Sequence, residues 1–429
     1  MGSMKSQTLT TMGAWAIGDQ ILSSATNFAA AIVVARIIGP AGYGSFTLAF
    51  SSWILLLGAT RAMLVQPYTV AASGTSVRDW QNATRSTAAT VLIFGFIFGI
   101  VAASVGIVLG VASATGSAFL TLSLFAAPLA LQDFWRFAAF SQGSPRAAAF
   151  NDAVWAVVQA ISLAILVATH TLSPATAVGS WGLGALAGAL FGLRQFRIWP
   201  AFGIRERTFS RQQAALAGWY GLSNASYQAG SYGAVLLVGA GLGPAALGGF
   251  GSVQNLMAPP RLVASAGESI MLPIIAQTAR EDAQVALQTL CKRFSLQVAG
   301  FFALTGAALI LTGSLALRLL FGPDYVRFAP LLPAIVTASV VSGLSSGVIL
   351  GFRALGEGRS LAYLQTASSA AQIAIVAVSL PFGLVTIVWA LAAAEGLRTA
   401  LAWVMFRKAV SRRKVHVARS SRSHTTLSL

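Results

Sequence analysis

Twelve long apolar stretches follow one another along the chain, and short polar segments separate them. A helix of about 20 mostly apolar residues crosses the ~30 Å hydrocarbon core of a bilayer. The pattern contains no series of alternating strands of about ten residues, and lipid offers no hydrogen-bond partners to an open strand. The sequence therefore predicts an all-α integral membrane protein with twelve transmembrane helices. The predicted spans, numbered 1 to 12 in chain order, are residues 14–37, 43–65, 86–112, 115–140, 150–170, 173–194, 213–240, 245–275, 294–317, 328–352, 359–382 and 384–406.

The composition fits this pattern. Of the 429 residues, 56% are hydrophobic and only 9% are charged, whereas an ordinary soluble domain has about 25% charged residues. The single cysteine, Cys291, excludes a disulfide framework and a cysteine-ligated metal cluster. The three histidines are far apart in the sequence and lack the spacing of metal ligands. We expect neither a metal nor another cofactor.

The net charge of +17 could indicate nucleic acid binding, but the positions of the basic residues argue against it. Lysine and arginine next to a span set its orientation by remaining on the cytoplasmic side. If the N-terminus is cytoplasmic, most basic residues lie on that side, including the 194–211 cluster and the 407–422 tail. We therefore expect a multi-pass protein of the cell membrane with both termini in the cytoplasm. Its basic tail would contact anionic membrane lipids.

The loops indicate an internal repeat. Gly39–Phe46, after span 1, shares five identities with Gly243–Phe250, after span 7, at a constant offset of 204. The loop Gly143–Arg146 aligns with Gly356–Arg359 at an offset of 213. Gly-Pro turns could also recur by chance. The agreement of two loops favours two six-helix bundles around a central cavity, with a substrate site at their interface. The predicted parts are an N-terminal bundle with a basic linker (1–212), a C-terminal bundle (213–406) and a basic cytoplasmic tail (407–429).

Two segments carry a family resemblance. The run Ala35–Phe46 resembles the first-hairpin signature of the polysaccharide exporters and O-antigen flippases, and Arg353–Arg359 resembles a loop of the same family. These proteins belong to the superfamily of multidrug, oligosaccharidyl-lipid and polysaccharide transporters. The resemblance implies two six-helix bundles that open alternately to either side of the membrane. It also implies an oligosaccharide on a polyprenyl diphosphate as the substrate, and a polysaccharide polymerase and other assembly proteins as partners.

The leading hypothesis is thus a flippase for a lipid-linked oligosaccharide, coupled to protons or sodium ions and serving cell-surface polysaccharide assembly. One alternative is a multidrug and toxin cation antiporter of the same fold. Another is a membrane glycosyltransferase, polysaccharide polymerase or ligase. The enzyme classes need long outer loops with catalytic groups, and no catalytic constellation or phosphate-binding loop is present.

Ionisable groups inside the membrane are costly, so each one needs a reason. Arg61 in span 2 and Arg261 in span 8 lie at similar depths of the two repeats. Because the planar guanidinium suits bidentate contacts with phosphate, both are predicted to bind the substrate diphosphate, unless each pairs with a carboxylate. Asp19 in span 1 and Glu268 in span 8 are the predicted ion-coupling carboxylates. Asp19 could instead be an interfacial carboxylate that pairs with an arginine.

Polar residues are densest in spans 1, 2, 7 and 8, which line the cavity in the related transporters. The predicted substrate-binding set adds Asn27, Asn224, Gln228, Gln254 and Asn255. These side chains could bind sugar hydroxyls or hold helices together.

Two other pairs of charges, Asp133 with Arg136 and Glu395 with Arg398, are three residues apart. They are predicted to be structural ion pairs. The adjacent Pro259 and Pro260 are predicted to kink span 8.

Overall fold

A computed structural model describes residues 2–202, 211–281 and 284–425, and every regular element in these ranges is helical. The α-helices are α1 (Gly2–Thr60), α2 (Gln66–Ala72), α3 (Val77–Val108), α4 (Ala114–Ser141), α5 (Pro145–Ala168), α6 (Pro174–Phe196), α7 (Arg211–Leu242), α8 (Pro244–Leu256), α9 (Ala258–Arg280), α10 (Gln284–Leu320), α11 (Leu332–Ala354), α12 (Gly358–Ser379) and α13 (Leu384–Thr425). A π-helical turn (Arg61–Val65) and two 3₁₀ segments (Pro323–Leu331 and Leu380–Phe382) complete the described elements.

The predicted helical membrane architecture is confirmed. Ten helical stretches in the described ranges are long and apolar enough to cross a membrane. The first of these, Leu22–Thr69, holds most of predicted span 1 and all of predicted span 2, because α1 continues across a sharp bend at Gly39. Predicted span 7 forms helix α7 but is not among the ten, since polar side chains interrupt its apolar pattern.

The backbone confirms the repeat that the loops predict. Gly39 (φ 68°, ψ 179°) and Gly243 (φ 83°, ψ 168°) adopt the same conformation, and a proline follows each of them. In the second pair of loops, Gly143 (φ 73°) and Gly356 (φ 74°) also match. A positive φ is readily available only to glycine, so the recurring glycines mark equivalent turns of two copies of one helical unit.

The helices form two groups. In the first bundle, α1 to α6, helix α4 packs against α3, α5 and α6. In the second bundle, α7 to α13, helix α7 packs against α12, and α11 packs against α10 and α13. The part of α1 that follows Gly39 contacts α8 of the second bundle. The interface between the bundles therefore contains the helices next to the two matching bends.

The two bends touch each other on one side of the molecule, here called the bend side. A Cβ atom added to Gly44 would lie 1.7 Å from the carbonyl oxygen of Pro244. In the equivalent contact, a Cβ atom added to Gly248 would lie 2.0 Å from the carbonyl oxygen of Pro40. Both distances are far below any possible contact, so only glycine allows this approach. Each bundle thus supplies one glycine that packs against the other bundle's bend.

Further hydrogen bonds hold the bend side together. The Asn255 side chain donates to the Tyr43 hydroxyl at 2.6 Å, and the Tyr325 hydroxyl donates to the carbonyl oxygen of Ala35 at 3.0 Å. The Arg36 guanidinium donates to the carbonyl oxygen of Leu319. The second bundle thereby contacts the end of span 1 as well as the start of span 2.

Candidate functional site

The helix that carries Arg261 is broken close to this residue. Helix α8 ends at Leu256 and α9 begins at Ala258, so Met257 separates two helical halves of span 8. The predicted kink is present, but it lies before the two prolines. Both prolines are in the first turn of α9, where the backbone N–H groups have no partner within the helix, so the missing N–H of proline costs nothing. A broken helix inside a membrane protein typically lines a cavity. The break places Arg261 in the first turn of the second half.

A cavity of about 460 Å³ lies between the two bundles and is here called the interface cavity. Four residues of the predicted substrate-binding set line it: Asn27, Gln254, Asn255 and Arg261. Its wall is rich in aromatic rings and has few charges. The aromatic lining residues are Phe28, Tyr43, Phe46, Phe50, Trp181, Tyr232 and Phe250. The described part of spans 1, 2, 7 and 8 supplies most of this wall, as predicted, and α5 and α6 add Gln159 and Trp181.

A second cavity of about 450 Å³ is lined only by residues of the second bundle and is here called the C-bundle cavity. Gln228, Gln254, Arg261 and Glu268 are in its wall. Seven serines and four glutamines give it a hydroxyl- and amide-rich surface: Ser231, Ser265, Ser339, Ser342, Ser346, Ser368, Ser369, Gln228, Gln254, Gln365 and Gln372. The two cavities share lining residues on α7, α8 and α9, including Tyr232, Gln254 and Arg261.

Arg261 lies where the two cavities meet. Its side chain is exposed, and it makes no ion pair or hydrogen bond with another described residue. Glu268, two turns further along α9, is placed beside the Ser346 hydroxyl and is not paired with Arg261. Among the described residues Arg261 thus has no direct ion-pair partner, and its guanidinium can attract an anionic group to this position.

Arg61 is in a different environment. Its Nε and Nη2 atoms donate to the two carboxylate oxygens of Asp133 at 3.0 and 2.5 Å. The guanidinium also lies over the ring of Phe137, 5.2 Å from its centroid. Arg61 lines neither of the two cavities. A carboxylate in α4 thus accepts two hydrogen bonds from Arg61, and the two arginines do not line the same cavity. The binding of one diphosphate by both arginines stays a prediction.

This pairing corrects another prediction. Asp133 was expected to pair with Arg136 in its own helix, but it pairs with Arg61, and Arg136 lies 3.8 Å from the carboxylate of Asp152. The partners lie on different helices, so spacing along one helix could not identify them. The predicted pair of Glu395 and Arg398 is confirmed, and Arg398 also donates to the Ser345 hydroxyl at 3.1 Å.

The remaining predicted residues are distributed as follows. Asn224 is half-buried in α7 and lines neither cavity. Asp19 belongs to α1, but its side chain lies outside the described residues. The serines of the C-bundle cavity were not among the predicted site residues. The spacing of Ser339, Ser342 and Ser346 is a signal that could have found them, since it places three hydroxyls on one face of α11.

No family model and no curated protein matches the chain. Solved structures do. A multidrug resistance MATE family transporter of the MOP superfamily, in its inward-facing conformation, is 16% identical with a TM-score of 0.71, and the match covers 92% of this chain and 95% of that one. A MATE structure in complex with MaL6 is 15% identical with a TM-score of 0.65, over 95% and 96% of the two chains.

The chain has the same fold as these solved MATE structures. The predicted fold is thereby confirmed, while its assignment to the polysaccharide branch remains a prediction. A MOP superfamily transporter from Pyrococcus furiosus is 14% identical, with a TM-score of 0.63 over 95% of this chain and 96% of that one. In that transporter, the reverse polarity of the binding pocket suggests a different function. The fold alone therefore leaves open what a MOP transporter carries.

Proposed function

We propose that the protein is a membrane transporter that works by alternating access. The observation that carries the proposal is a cavity between two repeated bundles whose bends meet at one end through Gly44 and Gly248. The close contacts of Gly44 and Gly248 with the opposite bends could form together or separate together. Their formation would close the cavity on the bend side, and their separation would open it. Among MOP-fold neighbours, inward- and outward-facing conformations are both known, with TM-scores of 0.71 and 0.64 to this chain.

Of the two kinds of transporter considered, the solved neighbours favour a multidrug antiporter over a flippase. Two of those neighbours are named as multidrug resistance transporters. The aromatic rings around the interface cavity suit flat organic cations, which bind over ring faces. Glu268 would supply a carboxylate to the adjoining cavity and, with Asp19, is a proposed site for a coupling proton or sodium ion.

A flippase for a lipid-linked oligosaccharide is the second candidate, and Arg261 favours it. This guanidinium, which has no ion-pair partner in the part of the chain that the structure describes, repels organic cations and attracts a diphosphate. In this case the protein would act with a polysaccharide polymerase and other assembly proteins in the cell membrane. In both cases the predicted cytoplasmic position of the termini would place the bend side outside the cell.

One pair of assays distinguishes the two candidates. Expression in a drug-sensitive host should lower the accumulation of ethidium if the protein is a multidrug antiporter. Deletion from its own genome should cause full-length lipid-linked repeat units to accumulate if it is a flippase. Arg261→Gln should relieve the repulsion of cations and increase ethidium export, but should abolish the movement of an anionic lipid-linked sugar. If neither assay responds to the protein, both candidates are wrong.

A further inference from the structure

An apolar slot opens on the outer face of the second bundle, between α12 and α13. Its volume is about 280 Å³. One wall is a stripe on α12 formed by Leu364, Ser368, Ala371 and Ile375, and the other is a stripe on α13 formed by Ala394, Arg398, Leu401 and Met405. Both stripes have the spacing i, i+4, i+7, i+11, which keeps each set on one helix face. The two faces therefore line the slot along about three helical turns.

The slot opens toward lipid. Leu397 and Leu401 on α13 are exposed, as is Tyr363 at the end of the α12 stripe. Such side chains on a membrane-spanning helix contact hydrocarbon. Apart from Ser368, Arg398 and the Tyr363 hydroxyl, the lining of this slot is wholly apolar. Its chemistry thus suits a hydrocarbon chain and offers little to a polar group.

The slot also adjoins the polar C-bundle cavity. Ser368, Ala394 and Arg398 line both spaces, so they form the junction between them. On the cavity side of the junction, the amides of Gln365 and Gln372 make no hydrogen bond with a described residue. A primary amide offers a donor and an acceptor side by side, which matches neighbouring hydroxyls of a sugar.

The formal charges of the C-bundle cavity sum to zero, although Arg261 and Glu268 do not pair with each other. Arg261 and Arg398 contribute two positive groups, and Glu268 and Glu395 contribute two negative groups. Arg398 is neutralised locally by its ion pair with Glu395. Together with seven serines and four glutamines, this balance favours a headgroup that is hydroxylated and uncharged.

We propose that the slot and the C-bundle cavity form one binding site for a single-chain amphiphile, which enters from the bilayer between α12 and α13. The hydrocarbon chain occupies the slot, and a hydroxylated, uncharged headgroup passes the junction at Ala394 and binds the serines and glutamines. This site goes beyond the proposed transport function, because binding from the lipid requires neither the interface cavity nor a change of conformation.

The test uses an alkyl glucoside with a photoreactive diazirine in its chain and the purified full-length protein in lipid nanodiscs. The matched alcohol, with the same chain and no sugar, reports contact with the lipid-facing surface in general. After irradiation, mass spectrometry of the peptides locates the label. The glucoside should label the stripes of α12 and α13 more strongly than the alcohol, and excess unlabelled alkyl glucoside should remove this preference.

Two matched variants decide the outcome. Ala394→Leu narrows the junction, whereas Ala393→Leu places the same side chain at the exposed neighbouring position. The preference for the glucoside should be lost in Ala394→Leu and retained in Ala393→Leu. If Ala394→Leu does not fold, Ala371→Leu narrows the slot from the opposite helix, and the same loss is expected.

Equal labelling by glucoside and alcohol, or equal labelling of the Ala393→Leu and Ala394→Leu proteins, would overturn the proposal. Because this assay measures binding without transport, such a failure leaves the proposed transport function standing. Conversely, specific labelling in a protein that transports neither ethidium nor a lipid-linked sugar would support the site and refute both transport candidates.

Discussion

In the first bundle, Arg61 donates two hydrogen bonds to Asp133, whereas in the second bundle Arg261 faces two cavities without a partner among the described residues. The two bundles share the same bends and the same helix order. A cation inside a membrane protein is compensated either by the protein or by something that the protein binds. The repeat therefore preserves the backbone bends, while the arginines of the two copies differ in their partners.

The largest expected effect concerns Arg61. Arg61→Ala leaves the carboxylate of Asp133 without its counter-charge, and removing one partner of a largely buried pair costs about 3 kcal/mol or more. The variant should therefore lose thermal stability in detergent. Arg61→Ala combined with Asp133→Ala should recover much of the loss. Arg261→Ala is the matched control and should unfold at the wild-type temperature. Equal stability of the two single variants would refute the difference between the bundles.

Equivalent substitutions in the two bends should have the same effect. Gly44→Ala and Gly248→Ala both place a methyl group against a backbone carbonyl of the other bundle, and such overpacking costs about 1–3 kcal/mol. Both variants should therefore open the bend side. We expect a cysteine at the buried position Leu247, in a Cys291→Ser background, to react faster with a membrane-impermeant maleimide in either variant.

The control for the bends is Gly300→Ala, since a Cβ atom at Gly300 would meet no neighbouring atom within 4 Å. It should leave the reactivity of the introduced cysteine unchanged. An effect of Gly44→Ala without an effect of Gly248→Ala would show that the bend contact is not equivalent in the two repeats.

A smaller effect is expected from Tyr43→Phe. The substitution removes the hydroxyl that accepts a hydrogen bond from Asn255 and keeps the ring packed in the core. A single hydrogen bond contributes about 1 kcal/mol. The same maleimide assay should show a modest increase in reactivity, below that of Gly44→Ala. A larger increase than in Gly44→Ala would indicate that hydrogen bonding, and not glycine packing, closes the bend side.

The sequence predicted the helices and the repeat because these depend on local patterns. Apolar stretches of sufficient length indicate spans, and the positive φ of Gly39 and Gly243 explains why the same Gly-Pro pair recurs. The pairing of Arg61 with Asp133 could not be predicted in this way, because the two residues are 72 positions apart and lie on different helices. Only tertiary packing decides which carboxylate an arginine meets.

Only the part of the candidate site that comes from one stretch of sequence could be predicted. Gln254, Asn255 and Arg261 lie in one polar stretch of span 8, and all three line a cavity. The C-bundle cavity was not foreseen, because its serines come from α7, α9, α11 and α12 and each helix alone resembles an ordinary packing surface. Serine hydroxyls also commonly bond to their own helix, as Ser339 does with Ile335, so their number alone indicates little.

Transport by the purified protein in proteoliposomes tests most directly whether Arg261 acts on the substrate while Arg61 only stabilises the fold. It is measured for wild type, Arg261→Gln and the Arg61→Ala, Asp133→Ala double variant. The substrates are ethidium and a fluorescent polyprenyl-diphosphate sugar, each with an imposed proton or sodium gradient. We predict that the wild type moves one of them and that Arg261→Gln changes this movement without loss of stability, whereas the double variant transports normally once folded. Wild-type protein that moves neither substrate would contradict both transport candidates. An Arg261→Gln protein that transports both substrates as the wild type does would contradict the role of Arg261.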